Sequence, residues 1–325
     1  MKLLDRLSSR PGLLLSGLAV VALAIAPFWL SPYRQNIVII SMYYVIMAAS
    51  WNLLAGYTGQ FSLAHQTFAG LGAYASGLLI YHLNVSLGIG FIAAVLTAGV
   101  TGFLLGMLVL RMRGIYLAVT TWAFSESVRL TISAAYNFTR GDQGLAVPPL
   151  FASLDPIKYY YLFLALTVIL VAIMYGVVRS PIGSFLRAIK DDELAASAMG
   201  INTVKWKLFI MTFSRTIAGI AGFFFAHYIL ILSPVILSFN EIGKIVIMVV
   251  FGGLGTFAGP IIGAPMVVII SEITREYGAW NMVFYSFIVI VIMRVYRDGI
   301  TSLFLNLFRR ISARWPRKQT PSYEN

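Results

Sequence analysis

The stretch 179–207, RSPIGSFLRAIKDDELAASAMGINTVKWK, is the one long polar interval in the interior of an otherwise apolar chain. Ser180 and Pro181 open it, and Pro suits a first helical position because its missing N–H would lack a partner there anyway. Residues 187–199 then read as one short helix of Ala, Leu, Met and charged residues, all good helix formers. Gly200 follows where a helix C-terminus wants a residue able to adopt positive φ. Ala188, Leu194, Ala195, Ala198 and Met199 supply small or apolar surface, and Asp191, Asp192 and Glu193 set three acids in a row. A helix with that surface, held between two apolar runs, suits a grip by something outside a membrane. The alternative is a solvated connecting loop.

Outward from this stretch the composition changes character. Hydrophobic residues make up 59% of the 325 and charged residues only 11%, where a soluble domain carries about a quarter charged. The expected class is all-α: a polytopic bundle of membrane helices. The net charge of +12 does not point to nucleic acid, because the basic residues cluster at the ends of apolar runs. With no cysteine in the chain, disulfides, thiolate metal sites and cysteine nucleophiles are excluded. His65, His82 and His227 are scattered, without metal-ligand spacing, so neither a metal nor a cofactor is expected. The N-terminal Lys2, Arg6 and Arg10 before an apolar run read as an uncleaved first span.

A crossing needs roughly 20 apolar residues, and ten segments qualify as candidates: 13–30, 37–56, 67–82, 87–110, 114–134, 157–178, 208–231, 241–255, 258–274 and 281–297. Eight crossings with two re-entrant segments is the alternative: 67–82 is short, 114–134 carries Glu126 and Arg129, and 241–255 ends in FGGLG. Lysine and arginine are retained on the cytoplasmic side. With both termini inside, 17 of the 24 basic residues fall in cytoplasmic segments, at 2–10, 111–113, 179–207 and 294–318. This arrangement divides the chain into a cytoplasmic N-terminus (1–12), a membrane domain (13–298) and a basic cytoplasmic tail (299–325). It sets 179–207 in the cytoplasm between the sixth and seventh spans.

Polar groups at bilayer depth are costly and are retained for a reason. Asn52, Gln60, Ser62, His65 and Gln66 gather around a glycine break at 56–66, and Thr120, Thr121, Ser125, Glu126 and Arg129 lie on the fifth segment. Irregular backbone and polar side chains are tolerated in a bilayer only inside protein or along a water-filled cavity. Asn52, Gln60, Ser62, His65, Thr120 and Thr121 are therefore the candidate lining of a solute path. Glu126 and Arg129, three apart, read as a structural ion pair, and Glu241 with Lys244 repeats the spacing and its ambiguity. His65 reads as a hydrogen-bonded interfacial side chain rather than a proton relay. FAGLGA (68–73) and FAGPIIGA (257–264) echo one another, read as packing glycines rather than duplicated halves. The turn-rich loop 135–156 is an outer docking surface, a gate or a connector.

Five blocks in order, GYTGQFSLAHQTFAGLGAY, RMRGIYLAVTTWAFSESVR, the GDQGL loop, RAIKDDELAASAMGIN and VVFGGLGTFAGPIIGA, resemble the permease subunits of branched-chain amino acid ABC importers, of the LivM type. The likeness runs from about residue 37 to 298, with Ala64 where the family's LSLGH motif has Gly. It implies that 187–200 is a coupling helix docked in a groove of an ATP-binding subunit, through Arg187, Asp191, Asp192, Glu193, Ala195, Ala196 and Gly200. It implies as partners a second, LivH-like permease, two LivG/LivF-like ATP-binding subunits and a periplasmic solute-binding protein, in a bacterial inner membrane. Permeases for urea and short amides share most of these motifs. No GxxxxGK[ST] phosphate loop is present, so the resemblance implies a non-catalytic subunit that takes its energy from ATP hydrolysed by a partner. An ion-coupled transporter would need paired carboxylates in the bundle core, and an intramembrane enzyme a nucleophile or metal cluster; neither pattern is visible.

Overall fold

A computed structural model describes residues 10–152, 155–280 and isolated helical positions between 283 and 300. The expected tenth span at 281–297 falls almost wholly outside the described residues, as do the tail 299–325 and positions 1–9. The helices are α1 (Arg10–Ile25), α2 (Pro32–Thr58), α3 (His65–Leu83), α4 (Leu87–Val109), α5 (Gly114–Ala134), α6 (Tyr136–Thr139), α7 (Pro156–Arg179), α8 (Pro181–Asp191), α9 (Glu193–Ala198), α10 (Thr203–Ile229), α11 (Phe239–Gly252) and α12 (Ala258–Thr274). Two two-residue strands, Leu145–Ala146 and Ile231–Leu232, pair antiparallel and tie the loop after α6 to the end of α10. Among the described residues four helices, α2, α4, α7 and α10, are long and apolar enough to cross a membrane unaided.

The bundle is built around α2. Pro32 begins it and the Ser31 hydroxyl caps it by accepting from the Arg34 N–H. Every residue from Ser41 to Thr58 is buried, so this part of the helix has no outward face and is enclosed by α7, α10, α11 and α12. A helix apolar all round belongs in the middle of a bundle. Trp51, Tyr43, Ile46 and Met47 are among the largest wholly buried side chains.

The second packing unit is α3, α4 and α10. Along α4 the buried positions Gly90, Ala94, Ala98, Gly102 and Gly106 recur every four residues. The opposite stripe of Ile89, Ile92, Leu96, Val100 and Leu104 is exposed. Small residues at this spacing let backbones approach in lipid, where close van der Waals packing drives association. At the α3–α10 crossing a Cβ on Gly222 would sit 2.0 Å from the Ala69 carbonyl oxygen, so no larger residue fits. The second glycine cluster closes α11 onto α12 in the same way: a Cβ on Gly252 would sit 2.0 Å from the Gly259 carbonyl oxygen. The echo between the two motifs is thus one packing device used twice.

The two helices on either side of Gly253 and Gly255, α11 and α12, are short for a crossing. At ~1.5 Å per residue, α11 spans about 21 Å and α12 about 26 Å, against roughly 30 Å of hydrocarbon. Between them Gly253 and Gly255 take positive φ, 122° and 77°.

The polar stretch differs from the expected single helix at 187–199. It forms two helices: α8 starts at Pro181 behind Ser180, and the chain breaks at Asp192, extended at φ −154° and ψ 109°. The reason is local. The Asp192 carboxylate accepts from the Leu194 and Ala195 N–H groups at 2.8 and 3.0 Å and caps α9. An aspartate bonded to the backbone ahead competes with continuing the helix behind it. Gly200 ends the unit at φ +85°, as expected.

Candidate functional site: the two-helix clip and the glycine breaks

The clip formed by α8 and α9 is fastened to the bundle at three places. The Lys190 ammonium donates to the Gly56 carbonyl at 2.8 Å. Glu193 accepts from Lys207 at 2.6 Å, at the start of α10, and pairs with Arg113 at 2.8 Å, between α4 and α5. Phe185 packs on Trp206 with ring centroids 5.5 Å apart. Any displacement of the clip therefore pulls on α2, α10 and the α4–α5 turn together.

The expected docking residues divide between the inside and the outside of the clip. Ala195, Asp191, Asp192 and Gly200 are exposed. Glu193 is committed to Lys207 and Arg113, and Arg187 donates to Ser184 within α8 at 3.3 Å. Ala196 is buried, 5% exposed: it faces the protein's own bundle and is no part of an outward alanine surface. The break at Asp192 turns α9 so that Leu194 and Met199, 74% and 84% exposed, stand outermost. Their apolar character was legible in the sequence, but their direction depends on the turn between two helices.

The first glycine break, 59–64, joins α2 to α3, with Gly59 at φ +70°. Its backbone polar groups are satisfied by side chains: the Trp51 indole donates to the Ser62 carbonyl at 2.7 Å, and Thr121 of α5 accepts from the Leu63 N–H at 2.9 Å. Thr58 donates to Gln60 at 3.2 Å. His65 lies 2.8 Å from the Ser50 hydroxyl and is 1% exposed, so it is a core side chain and not the interfacial one expected. Asn52 reaches the second break, donating to the Thr256 carbonyl at 2.8 Å and accepting from the Gly255 N–H at 2.9 Å. The structure thus brings Asn52, Gln60, Ser62, His65 and Thr121 together around the break, all buried; Thr120 is half-buried beside them on α5. Asn52, Ser62 and Thr121 bond the irregular backbone directly.

Several polar features escaped the sequence reading or were left open by it. Arg215, midway along α10, is wholly buried; it donates to the Gly102 carbonyl at 2.5 Å and lies over the Phe68 ring at 4.7 Å. Its Nε and Nη2 have no hydrogen-bond partner among the described residues. The Glu126–Arg129 pair forms as expected, with Arg129 Nε 3.1 and 3.0 Å from the two carboxylate oxygens and Nη2 2.5 Å from one of them. Glu241 accepts from Lys244 at 2.6 Å and from the Tyr44 hydroxyl at 2.6 Å.

Comparison with known proteins agrees with this architecture. Residues 33–295 match the family described as branched-chain amino acid transport system, permease component. The high-affinity branched-chain amino acid permease protein LivM of Salmonella typhimurium is 28% identical over 89% of this chain and 75% of its own length. LivM of Escherichia coli is 29% identical over 85% and 72%. The LivH permease of Salmonella typhimurium is 22% identical over 72% of this chain and 82% of its own, and the fructose import permease FrcC of Rhizobium meliloti is 28% identical over 39% and 38%. No solved structure gives a significant match. With the family matching across more than three quarters of its length, this chain belongs to the branched-chain amino acid transport permeases, multi-pass and non-catalytic membrane subunits of ABC-type transport systems.

Proposed function

We propose that the chain is the translocating subunit of an ATP-driven importer in a bacterial inner membrane, carrying branched-chain amino acids inward by alternating access. Both termini face the cytoplasm, with ten crossings or eight and two re-entrant segments; the shortness of α11 and α12 favours the latter. The clip of α8 and α9 then lies in the cytoplasm and docks into an ATP-binding subunit through Leu194, Ala195, Met199 and the exposed acids Asp191 and Asp192. The partners are a LivH-like permease, two LivG/LivF-like ATP-binding subunits and a periplasmic solute-binding protein. Asn52, Gln60, Ser62, His65, Thr120 and Thr121 border the path as the packed wall that holds its backbone breaks.

The observation that carries this reading is the family match over residues 33–295, joined to a clip tied inward at Lys190 and Glu193 while its apolar tip points outward. The test is uptake of radiolabelled leucine into proteoliposomes holding the full complex and the binding protein, with ATP supplied and ion gradients collapsed. ATP-dependent accumulation is expected. Uptake driven by an ion gradient without ATP refutes the importer, and accumulation of urea in preference to leucine refutes the solute.

A further inference from the structure

Glu241 and Lys244 stand at a depth where an exposed charge has no place against lipid. The 27-residue α2 is about 40 Å long at ~1.5 Å per residue, and Tyr44 is its thirteenth residue, near the midpoint. The Tyr44 hydroxyl reaches Glu241 at 2.6 Å, and Glu241 holds Lys244 at 2.6 Å, so the cluster is near mid-membrane. Yet the Lys244 side chain is 41% exposed and that of Glu241 21%. On the same helix Asn240 is exposed, and beyond its chain neighbours and its own helix backbone no atom of the described residues lies within 4 Å of a Cβ built on Gly243. Ionisable groups at this depth face a bundle interior or a water-filled cavity. Beside them an apolar surface is open: Phe239, 53% exposed, contacts Trp122 of α5, 42% exposed, with ring centroids 6.1 Å apart.

We propose that Glu241, Lys244 and Tyr44 form a mid-membrane station on the solute path that takes the zwitterionic head of a neutral, hydrophobic α-amino acid. This rests on the reading of the chain as an amino acid permease. The solute ammonium replaces the Lys244 ammonium at the Glu241 carboxylate, the solute carboxylate pairs with the freed Lys244, and the side chain lies toward Phe239 and Trp122. The pair is suited to this exchange because a single hydrogen bond joins it. The Glu126–Arg129 pair is not, since two guanidinium nitrogens already grip one carboxylate.

The chain has no cysteine, so Gly243→Cys and Asn240→Cys each place a single thiol beside the pair without disturbing it. In the reconstituted complex, a membrane-impermeant methanethiosulfonate is expected to modify both in at least one nucleotide state, with L-leucine slowing the reaction several-fold. The double variant Glu241→Gln/Lys244→Met, which leaves no lone charge at depth, is expected to lose at least tenfold in leucine uptake while keeping its melting temperature and its ATP-binding subunits. No modification in any state means that a partner subunit covers this face and overturns the proposal. So does modification that leucine does not slow, or a double variant that transports normally. If the wild-type complex fails to move leucine, the permease reading fails separately, while thiol accessibility still reports whether this face meets water.

Discussion

Truncating the tip of the clip is the sharpest test of coupling. Leu194 and Met199 are 74% and 84% exposed, so their removal takes almost nothing from the permease itself. If they dock in a partner's groove, Leu194→Ala removes three carbons from an apolar contact. At ~0.8 kcal/mol per buried CH₂, scaled by the area now exposed, the loss is about 1.8 kcal/mol, or roughly 20-fold in affinity at ~1.4 kcal/mol per decade. Met199→Ala removes a similar volume, and the double variant is expected to weaken binding by on the order of 10²-fold. The assay is the dissociation constant of the purified ATP-binding subunit for the permease in nanodiscs, read beside solute-stimulated ATP hydrolysis. Leu96→Ala, on the exposed stripe of α4, serves as control and is expected to leave both unchanged. A change below twofold in the double variant would refute docking through this tip. Ala196→Trp is uninformative about the partner, because Ala196 is buried in its own bundle and a larger side chain there clashes internally.

Glu193→Gln strands the Lys207 ammonium, whose side chain is 7% exposed, and is expected to destabilise the protein by about 1.5–3 kcal/mol. Adding Lys207→Met should restore most of that melting temperature, while the Arg113 pair, 66% exposed on the arginine side, contributes ~0–1 kcal/mol; additive single effects in the cycle would sink the clamp. Gly200→Ala meets open space, so only the positive φ opposes it, and a loss of about 1–2 kcal/mol in thermal unfolding is expected. Gly222→Ala, by contrast, runs into the Ala69 carbonyl and is expected to abolish assembly of α3 on α10, read as loss of monodisperse protein on size exclusion. Arg215→Met removes a buried cation that has no carboxylate partner among the described residues; replacing such a charge by an apolar side chain of similar volume is expected to be neutral or stabilising, and a fall in melting temperature would show that the Gly102 and Phe68 contacts outweigh desolvation.

Much of the fold was legible in the chain itself. The nine apolar runs from 13–30 to 258–274 each fall on a described helix, because in lipid only a helix satisfies its own backbone. Ser180 with Pro181 and Gly200 mark the ends of the clip, since their preferences are those of a cap, a first turn and a left-handed terminus. The stripe of small residues at 90, 94, 98, 102 and 106 was equally written there, as a four-residue period.

Other features needed the tertiary structure. That Asn52 bonds to Gly255 and Thr256 joins residues about two hundred apart, and no local pattern records such a contact. The break at Asp192 depends on its carboxylate bonding the backbone ahead in place of a continued helix, and it alone decides that Ala196 faces inward and Leu194 outward. That α2 is the enclosed pillar and α4 carries an exposed apolar stripe was hidden for a different reason. Lipid tails are as apolar as leucine, so a helix facing the bilayer and a helix facing protein have nearly the same composition. What separates them is packing, and packing exists only once the helices have met.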